Sequence, residues 1–444
     1  MMTTPFQHND RIVVIGERLI DSEQETPKPG SAWVGRLRDM LVAHEPQKTV
    51  EIFDRTANDA SLHSMRQRWE DDVLWFRPQW LIVHPGPGDI WRAKDKLTGH
   101  MDADAMEECL VDLVRHTRER LPGCRVLLVD PILLYDNSDP AWYSGQILGL
   151  HPAFRAAVRK AAGRAGVSHV PAQGAFTERL AAEGANCFGP EDNHPDQEGH
   201  ILLAHSVLKA LGARPPDSLP IAHGASMVFI GDSITDAGRR SLRFRPYGCG
   251  YVRLWRALLL ARDPQLARSL RIVNRGIGGQ TIRNIAYRWE QDCLAHSPDH
   301  IVLKIGINDV NGWLSNGQNP VSAGDYAALL EELLARSRAR NPRVRLHLLS
   351  PFHVSRDSFE QSYRNRVNRH LPAYIEALRE SASRHDAAFV DLHACFQRHL
   401  DHRHGSEFTG RDGVDVVHPS ETGCMVIAEA LFGSMQSPRK LSQG

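Results

Sequence analysis

The stretch SMVFIGDSITDA, residues 226–237, decides the fold of this chain. An apolar run ends at Gly231 and a polar turn follows, a pattern that predicts a buried strand passing through a tight turn into a helix. The same pattern stands near the start of the chain, in RIVVIGERLIDS at 11–22. Two copies of one strand–turn–helix unit indicate an internal repeat.

Further blocks of the repeat follow in the same order, mostly 220 positions apart. EIFDRTANDASL (51–62) matches RIVNRGIGGQTI (271–282), and LIVHPGPGDI (81–90) matches IVLKIGINDV (301–310). Near the end of each copy, NHPDQEGHILLAHSVL matches VHPSETGCMVIAEALF. The identical pairs include Arg68 and Arg288, Trp69 and Trp289, Glu70 and Glu290, Pro78 and Pro298, Gly86 and Gly306, and Asp89 and Asp309. The chain is therefore interpreted as a tandem duplication.

A duplication divides the 444 residues into two domains of ordinary size. The segment 212–225, GARPPDSLPIAHGA, holds three prolines and little periodicity, which is typical of a linker. We predict a first domain at 1–211, this linker at 212–225, and a second domain at 226–444 whose repeated blocks end near residue 435.

Short apolar runs alternate with amphipathic stretches in the second half. The runs are MVFI (227–230), RIVN (271–274), HIVLKI (300–305), RLHLLS (345–350) and AAFVDL (387–392), and candidate helices lie near 250–262, 280–296, 323–340, 362–384 and after Pro419. Strands buried on both faces, each followed by a helix, predict a parallel sheet in a flavodoxin-like three-layer α/β/α sandwich. In such sheets, ligands bind beyond the carboxyl ends of the strands.

Composition excludes several classes of partner. Lys+Arg and Asp+Glu both number 53, and without a basic stripe we expect no nucleic acid partner. No apolar run approaches the ~20 residues that cross a bilayer, and the start MMTTPFQHNDR lacks the features of a signal peptide, so we expect no membrane partner. The seven scattered cysteines, none in a C-x-x-C pair, favour reduced thiols in the cytoplasm over disulfides or a zinc site.

Polar motifs stand at the predicted carboxyl ends of the first three strands of the second half. They are Ser233 in GDSIT, three glycines in NRGIGGQT (274–281), and Asn308 in GIND. Each alone is typical of a helix cap, a tight turn or an Asx-turn. Glycine-rich backbone and an asparagine amide can, however, also donate hydrogen bonds to a developing oxyanion.

The last motif is DVVHP (415–419), in which Asp415 and His418 lie three residues apart on a predicted loop. A carboxylate at that spacing can accept a hydrogen bond from one imidazole nitrogen and leave the other to face a serine. Pro419 suits the first turn of the closing helix. The four motifs in this order predict a serine-based active site.

The order and spacing of these blocks resemble those of the SGNH (GDSL-type) hydrolases over residues 226–435. The resemblance implies acyl transfer without a metal or organic cofactor, and it implies the following roles. Ser233 is the nucleophile, His418 and Asp415 complete the triad, the Ser233 and Gly279 N–H groups and the Asn308 side chain form the oxyanion hole, and Asp232, Gly278 and Asp309 support them.

GDSITDAGR (231–239), GCGYV (248–252), RWEQD (288–292) and GINDV (306–310) resemble more closely the intracellular acetyl-xylo-oligosaccharide esterases within that family. This implies deacetylation of sugar hydroxyls, a small acylated carbohydrate as substrate, and a homo-oligomer. That group has an aromatic residue before the catalytic Asp, where this chain has Val414. A short-chain carboxylesterase, a thioesterase, a lysophospholipase and a non-catalytic carbohydrate-binding scaffold are the alternatives.

The first half departs from the pattern at every predicted catalytic position except one. Arg18 replaces Ser233, Asp59 replaces Gly279, Gly88 replaces Asn308 and Glu191 replaces Asp415, whereas His194 is retained. We predict an inactive copy with a structural role, or one that binds a carbohydrate or acidic ligand in a cleft with Arg18, Trp91 and His194. Because the inactive copy keeps RWE, that motif predicts a structural Trp with Arg and Glu on a solvated face.

Overall fold

The computed structural model describes residues 4–19, 32–58, 60–134, 145–184, 187, 195–213, 218–317, 319–410 and 414–436. The chain forms two compact units. The N-terminal unit comprises Met2–Leu41 and Lys48–Pro215, and the C-terminal unit comprises Val42–Gln47 and Pro216–Gly444 together with Met1. The described residues between 212 and 225 contain neither helix nor strand.

The N-terminal unit contains a sheet of five parallel strands in the order β2-β1-β3-β4-β5. The strands are β1 (Arg11–Glu17), β2 (Glu51–Ala57), β3 (Trp80–His84), β4 (Arg125–Val129) and β5 (Ser168–Val170). The α-helices are α1 (Trp33–His44), α2 (Leu62–Gln67), α3 (Trp69–Asp72), α4 (Pro87–Asp95), α5 (Ala103–Arg120), α6 (Gly145–Ala165), α7 (Gln173–Glu183) and α8 (Gln197–Ala210).

The C-terminal unit repeats this topology, with a parallel sheet in the order β7-β6-β8-β9-β10 and an antiparallel pair β11-β12. The strands are β6 (Ser226–Gly231), β7 (Arg271–Gly276), β8 (His300–Lys304), β9 (Arg345–Leu349), β10 (Ala388–Val390), β11 (Thr409–Gly410) and β12 (Asp415–Pro419). The α-helices are α9 (Ser233–Asp236), α10 (Tyr251–Arg262), α11 (Pro264–Ser269), α12 (Ile282–Asp292), α13 (Ile307–Leu314), α14 (Ala323–Arg340), α15 (Tyr363–Arg384), α16 (Leu392–Leu400) and α17 (Glu421–Gln436).

Every residue of β6 is buried, because helices cover both faces of the second sheet. On one face, the Phe229 ring lies 5.6 Å from the Trp255 ring of α10, and α10 packs against α17. On the other face, α12, α14 and α15 form a layer in which the rings of Tyr326 and Tyr374 meet edge-on at 5.4 Å. The predicted three-layer α/β/α sandwich with a parallel sheet is confirmed.

The repeated RWE motif contributes mainly to packing. Trp289 is fully buried and donates from Nε1 to Ser337 Oγ at 3.2 Å, and Trp69 donates in the same way to Thr117 Oγ1 at 3.0 Å. The prediction of a structural Trp is confirmed. The prediction of a solvated Arg is wrong for Arg288, which is 9% exposed, since its guanidinium turns inward to backbone carbonyls rather than outward to Glu290.

No helix in the described part of the chain has an apolar stretch long enough to cross a lipid bilayer. All seven cysteines lie among the described residues, and none forms a disulfide.

Candidate active site

Ser233, His418 and Asp415 form one continuous line of hydrogen bonds at the carboxyl edge of the second sheet. Ser233 opens α9 directly after β6, and its Oγ lies 2.8 Å from His418 Nε2. His418 Nδ1 lies 2.7 Å from Asp415 Oδ2. A proton on Nδ1 is held by the carboxylate, which leaves Nε2 to accept the serine proton. The fold thus brings together three predicted residues that are up to 185 positions apart.

The imidazole is held by a tight turn of its own strand. Asp415 Oδ1 accepts the N–H groups of Val417 and His418, both at 3.0 Å, so one carboxylate fixes the backbone and the ring together. The predicted loop is instead the short strand β12, which pairs irregularly with β11. Pro419 ends this strand, and the closing helix begins two residues later, at Glu421.

The Asp415 carboxyl is kept ionised by these contacts. Partial burial by itself raises the pKa of Asp415, but the hydrogen bonds from the His418 N–H, the His418 ring and the Val417 N–H outweigh it and hold the pKa below its ordinary value. A carboxylate at neutral pH can therefore stabilise an imidazolium at His418.

The loop after β7 lies beside the serine and presents backbone groups. Gly279 has φ +78°, a conformation that favours glycine, and the space where a side chain would stand is open. The N–H of Gly278 is used by Asp236 Oδ2 at 3.3 Å, which leaves Gly279 as the candidate donor. Asn308 Nδ2 donates to Gln280 O at 3.0 Å, and a second Nδ2 hydrogen is available to a ligand.

Asp309 joins the two elements that carry these donors. Its Oδ1 accepts the Ile282 N–H at 2.9 Å, which links the start of α12 to the start of α13. In the N-terminal unit, Asp89 Oδ1 accepts the Leu62 N–H at 2.7 Å in the same way. Burial raises the pKa of each carboxyl to about 7. The N-terminal unit keeps this hydrogen bond although it has no serine at the matching position. The hydrogen bond is therefore explained by the fold and not by catalysis.

Asp232 and Lys304 form an ion pair directly beneath the serine, and both side chains are fully buried. Lys304 Nζ lies 3.0 Å from Asp232 Oδ2, and Asp232 Oδ1 accepts the Ile234 N–H at 3.0 Å, which caps α9. Burial lowers the pKa of Lys304, and Asp232 offsets part of that effect. Sequence analysis identified Asp232 but missed Lys304, whose only signal was a lysine within the apolar run HIVLKI.

Arg288 connects β6, the strand that precedes Ser233, to β7 and the loop that follows it. Its guanidinium donates to Gln280 Oε1 at 2.6 Å, to Arg275 O at 2.7 Å and to Gly231 O at 3.2 Å. Sequence analysis missed this role, because the RWE motif also occurs in the copy without the serine.

The start of α15 forms a rim beside α13, the helix that carries Asn308. Tyr363 OH donates to Asn311 Oδ1 at 3.0 Å, and Asn311 lies one helical turn after Asn308, on the same side of α13. The Tyr363 side chain is 43% exposed. The next residue, Arg364, donates to the carbonyl of Val414 at 3.3 Å. No sequence motif predicts these rim contacts.

Two of the corresponding groups are replaced in the described part of the N-terminal unit. Arg18 occupies the position of Ser233 and donates to Thr56 O at 2.9 Å, and Gly88 has no side chain to replace that of Asn308. The predicted positions Asp59, Glu191 and His194 lie outside the described residues. The predicted cleft of Arg18, Trp91 and His194 is therefore described only in part.

A serine, an imidazole and a carboxylate aligned at the edge of a flavodoxin-type sheet are the arrangement of a serine hydrolase. Residues 17–202 and 229–425 each match the model of the GDSL-like Lipase/Acylhydrolase family, and the chain belongs to this family as a tandem duplication. It is a carboxylic ester hydrolase.

Several known proteins are similar to about half of the chain. An acetylxylan esterase from Geobacillus stearothermophilus is 33% identical over 224 residues, which are 48% of this chain and 95% of that protein. The crystal structure of LAE5, an alpha/beta hydrolase from the metagenome of Lake Arreo, Spain, has 34% identity and a TM-score of 0.43 over 48% of this chain and 96% of its own. The crystal structure of Axe2, an acetylxylan esterase from Geobacillus stearothermophilus, has 31% identity and a TM-score of 0.43 over 49% and 97%.

The raised pKa of Asp309 predicts a pH effect on stability. The pKa rises from an ordinary value of 3.8 in the unfolded chain to about 7 in the folded one. Between these values the folded state holds a proton that the unfolded state has lost, so this group makes folding less favourable as the pH rises. As the pH rises from roughly 5.5 to 8, the unfolding free energy of the wild type should therefore fall by about 2 kcal/mol more than that of Asp309→Asn.

Urea denaturation at both pH values measures this difference. Glu360→Gln serves as the control, because that side chain is 87% exposed and its removal should leave the pH dependence unchanged. Parallel pH dependences for Asp309→Asn and the wild type would contradict the raised pKa.

Proposed function

We propose that the C-terminal domain, residues 226–444, removes short acyl groups, above all acetyl, from sugar hydroxyls of oligosaccharides through an acyl-enzyme on Ser233. The observation that carries the proposal is the unbroken hydrogen-bonded line from Ser233 Oγ through His418 to Asp415. This line supplies both an activated nucleophile and a base that is oriented by a carboxylate.

In the proposed reaction, His418 Nε2 takes the proton of Ser233 as Oγ attacks the ester carbonyl carbon. The oxyanion of the tetrahedral intermediate accepts hydrogen bonds from the Ser233 and Gly279 N–H groups and from Asn308 Nδ2. His418 then gives its proton to the departing sugar oxygen. Water, deprotonated by the same imidazole, hydrolyses the acyl-enzyme and restores Ser233. Asp415 stabilises the imidazolium at both stages.

A carbohydrate alcohol is favoured by two observations. The relative that is 33% identical over 95% of its length is named an acetylxylan esterase. Tyr363 offers half-exposed aromatic surface at the rim, and the Asn311 amide can exchange hydrogen bonds with hydroxyl groups. Apolar ring surface combined with a few placed polar groups suits the faces and edges of a sugar.

For the N-terminal domain, residues 1–211, we propose a structural role without catalysis. Support comes from Arg18, which puts a guanidinium where a nucleophile would stand, and from Gly88, which removes the amide donor. The described part of this domain nonetheless keeps the five-stranded order and a buried core that includes Val13, Ile15 and Leu81. Retention of a buried core without the serine hydroxyl and the asparagine amide favours a structural contribution, with residues 212–225 as the linker.

A cytoplasmic location is part of this proposal. It is supported by seven cysteines that form no disulfide, four of which are buried: Cys109, Cys124, Cys293 and Cys424.

Replacing the nucleophile tests the reaction type. Ser233→Ala should abolish release of p-nitrophenol from p-nitrophenyl acetate, because no other group can carry the acyl intermediate at that position. Arg18→Ala, the matching change in the other copy, should leave the rate within about two-fold of the wild type. Undiminished hydrolysis by Ser233→Ala would sink the assignment of the nucleophile.

Removing the aromatic rim tests the alcohol. Tyr363→Ala should raise KM for acetylated xylo-oligosaccharides about ten-fold, equivalent to about 1.4 kcal/mol of lost binding, since the ring and its bond to Asn311 are both removed. KM for p-nitrophenyl acetate should stay within about two-fold, because that substrate has no sugar to bind. Tyr287→Ala, at a 96% exposed position of α12, is the control. Equal losses on both substrates would favour a general short-chain carboxylesterase or thioesterase.

Expression of residues 222–444 alone tests the role of the first domain. A structural role predicts an insoluble or inactive fragment, measured by its yield in the soluble fraction and by p-nitrophenyl acetate hydrolysis. A soluble, fully active fragment that binds oligosaccharide more weakly than the whole chain would instead favour a carbohydrate-binding role.

A further inference from the structure

The ion pair beneath the nucleophile is costly to bury. Lys304 and Asp232 both have 0% exposed side chains, and Lys304 Nζ also lies 5.1 Å from the Phe352 ring. Removing two charges from water is expensive, and a buried pair is often no more stabilising than apolar residues of the same volume. A need for stability alone is therefore a weak reason for this pair.

The pair acts on the turn that carries the serine. Asp232 caps α9 by accepting the Ile234 N–H, so its carboxylate touches the backbone on the far side of Ser233. Lys304 Nζ reaches both Asp232 oxygens, at 3.0 and 3.4 Å, and thus holds the carboxylate in one orientation. A shift of this carboxylate would move Ser233 Oγ relative to His418 and would also move the Ser233 N–H.

The N-terminal unit shows what the fold itself requires at this position. Lys304 pairs in register with Gly231, and at the matching point of the other sheet His84 pairs with Gly16. Burial lowers the pKa of His84 to about 4, so this imidazole is neutral at pH 7. It packs edge-on against the Trp33 ring at 5.9 Å. The same sheet therefore forms with a neutral side chain in place of the lysine.

The two copies also separate fold from function at neighbouring positions. The Asp309 link to the Ile282 N–H is kept in the first copy as Asp89 and Leu62, although the serine there has become Arg18. The lysine, in contrast, is absent from the copy that lacks the serine. The buried lysine thus occurs only in the copy that has the serine, whereas the buried aspartate occurs in both copies.

We infer that Lys304 is a positioning residue for the ester hydrolase reaction: through Asp232 it fixes the turn that aims the Ser233 hydroxyl at His418 and the Ser233 N–H at the oxyanion. The inference rests on the proposed role of Ser233. Lys304 itself touches neither the substrate nor the reacting atoms, because its side chain is fully buried.

The test measures how fast a fluorophosphonate probe labels the full-length protein. Lys304→Met keeps the length of the side chain without its charge, and it should lower the labelling rate constant and kcat for p-nitrophenyl acetate by about 10- to 100-fold, with KM within about two-fold. The labelled fraction at completion counts folded molecules, whereas the rate constant reports the alignment of the nucleophile. A purely structural role would lower only the fraction.

Two further variants keep the outcome decisive. Asp232→Asn combined with Lys304→Met leaves no unpaired charge, and its labelling should be at least about ten-fold slow even where the single variant folds poorly. His84→Met, at the same register position of the first copy, should label at the wild-type rate. A wild-type rate constant in either Lys304 variant would overturn the inference. Persistent labelling of Ser233→Ala would instead overturn the proposed nucleophile, so the two failures are distinguishable.

Discussion

The parallel register around β6 is the constraint on which the rest of the site depends. Gly231, the last residue of this strand, pairs with Gly276 on one side and with Lys304 on the other. Three chain segments therefore leave the sheet at the same level and from adjacent positions. The turn with Ser233, the loop with Gly279 and the helix with Asn308 follow these ends within a few residues. A side chain added at Gly276 would collide with the backbone of α9, so close backbone approach is built into this arrangement.

The duplication provides an internal comparison of what this fold needs and what its chemistry needs. Both copies keep the strand order, the buried Trp with its N–H bound to a hydroxyl, and the aspartate that accepts an N–H from the neighbouring helix. They differ at Ser233, Asn308 and Lys304, where the first copy has Arg18, Gly88 and His84. Features shared by both copies are explained by burial and backbone pairing. Features present in one copy alone call for a chemical reason.

Most of the fold could be predicted from the second half of the sequence, because long apolar runs and amphipathic helices have clear periods. The strands β6 to β9 begin and end within about two residues of the predicted runs, and α14 agrees at both ends. The short helices α13 and α16 were missed, since eight or nine residues carry too little periodicity. β12 was taken for a loop, because its pairing with β11 is irregular and depends on a partner with no pattern of its own.

The sequence by itself determined the duplication, the layered architecture and the order of the motifs, because these depend on local patterns of apolar and polar residues. It also singled out Ser233, Asp415 and His418 by residue type and position. Only the tertiary structure decided that Lys304 lies under Asp232, that Arg288 turns inward to Gly231, and that Tyr363 meets Asn311. Each of these contacts joins residues at least 52 positions apart, and their geometry is set by the packing of helices on a common sheet rather than by any local pattern.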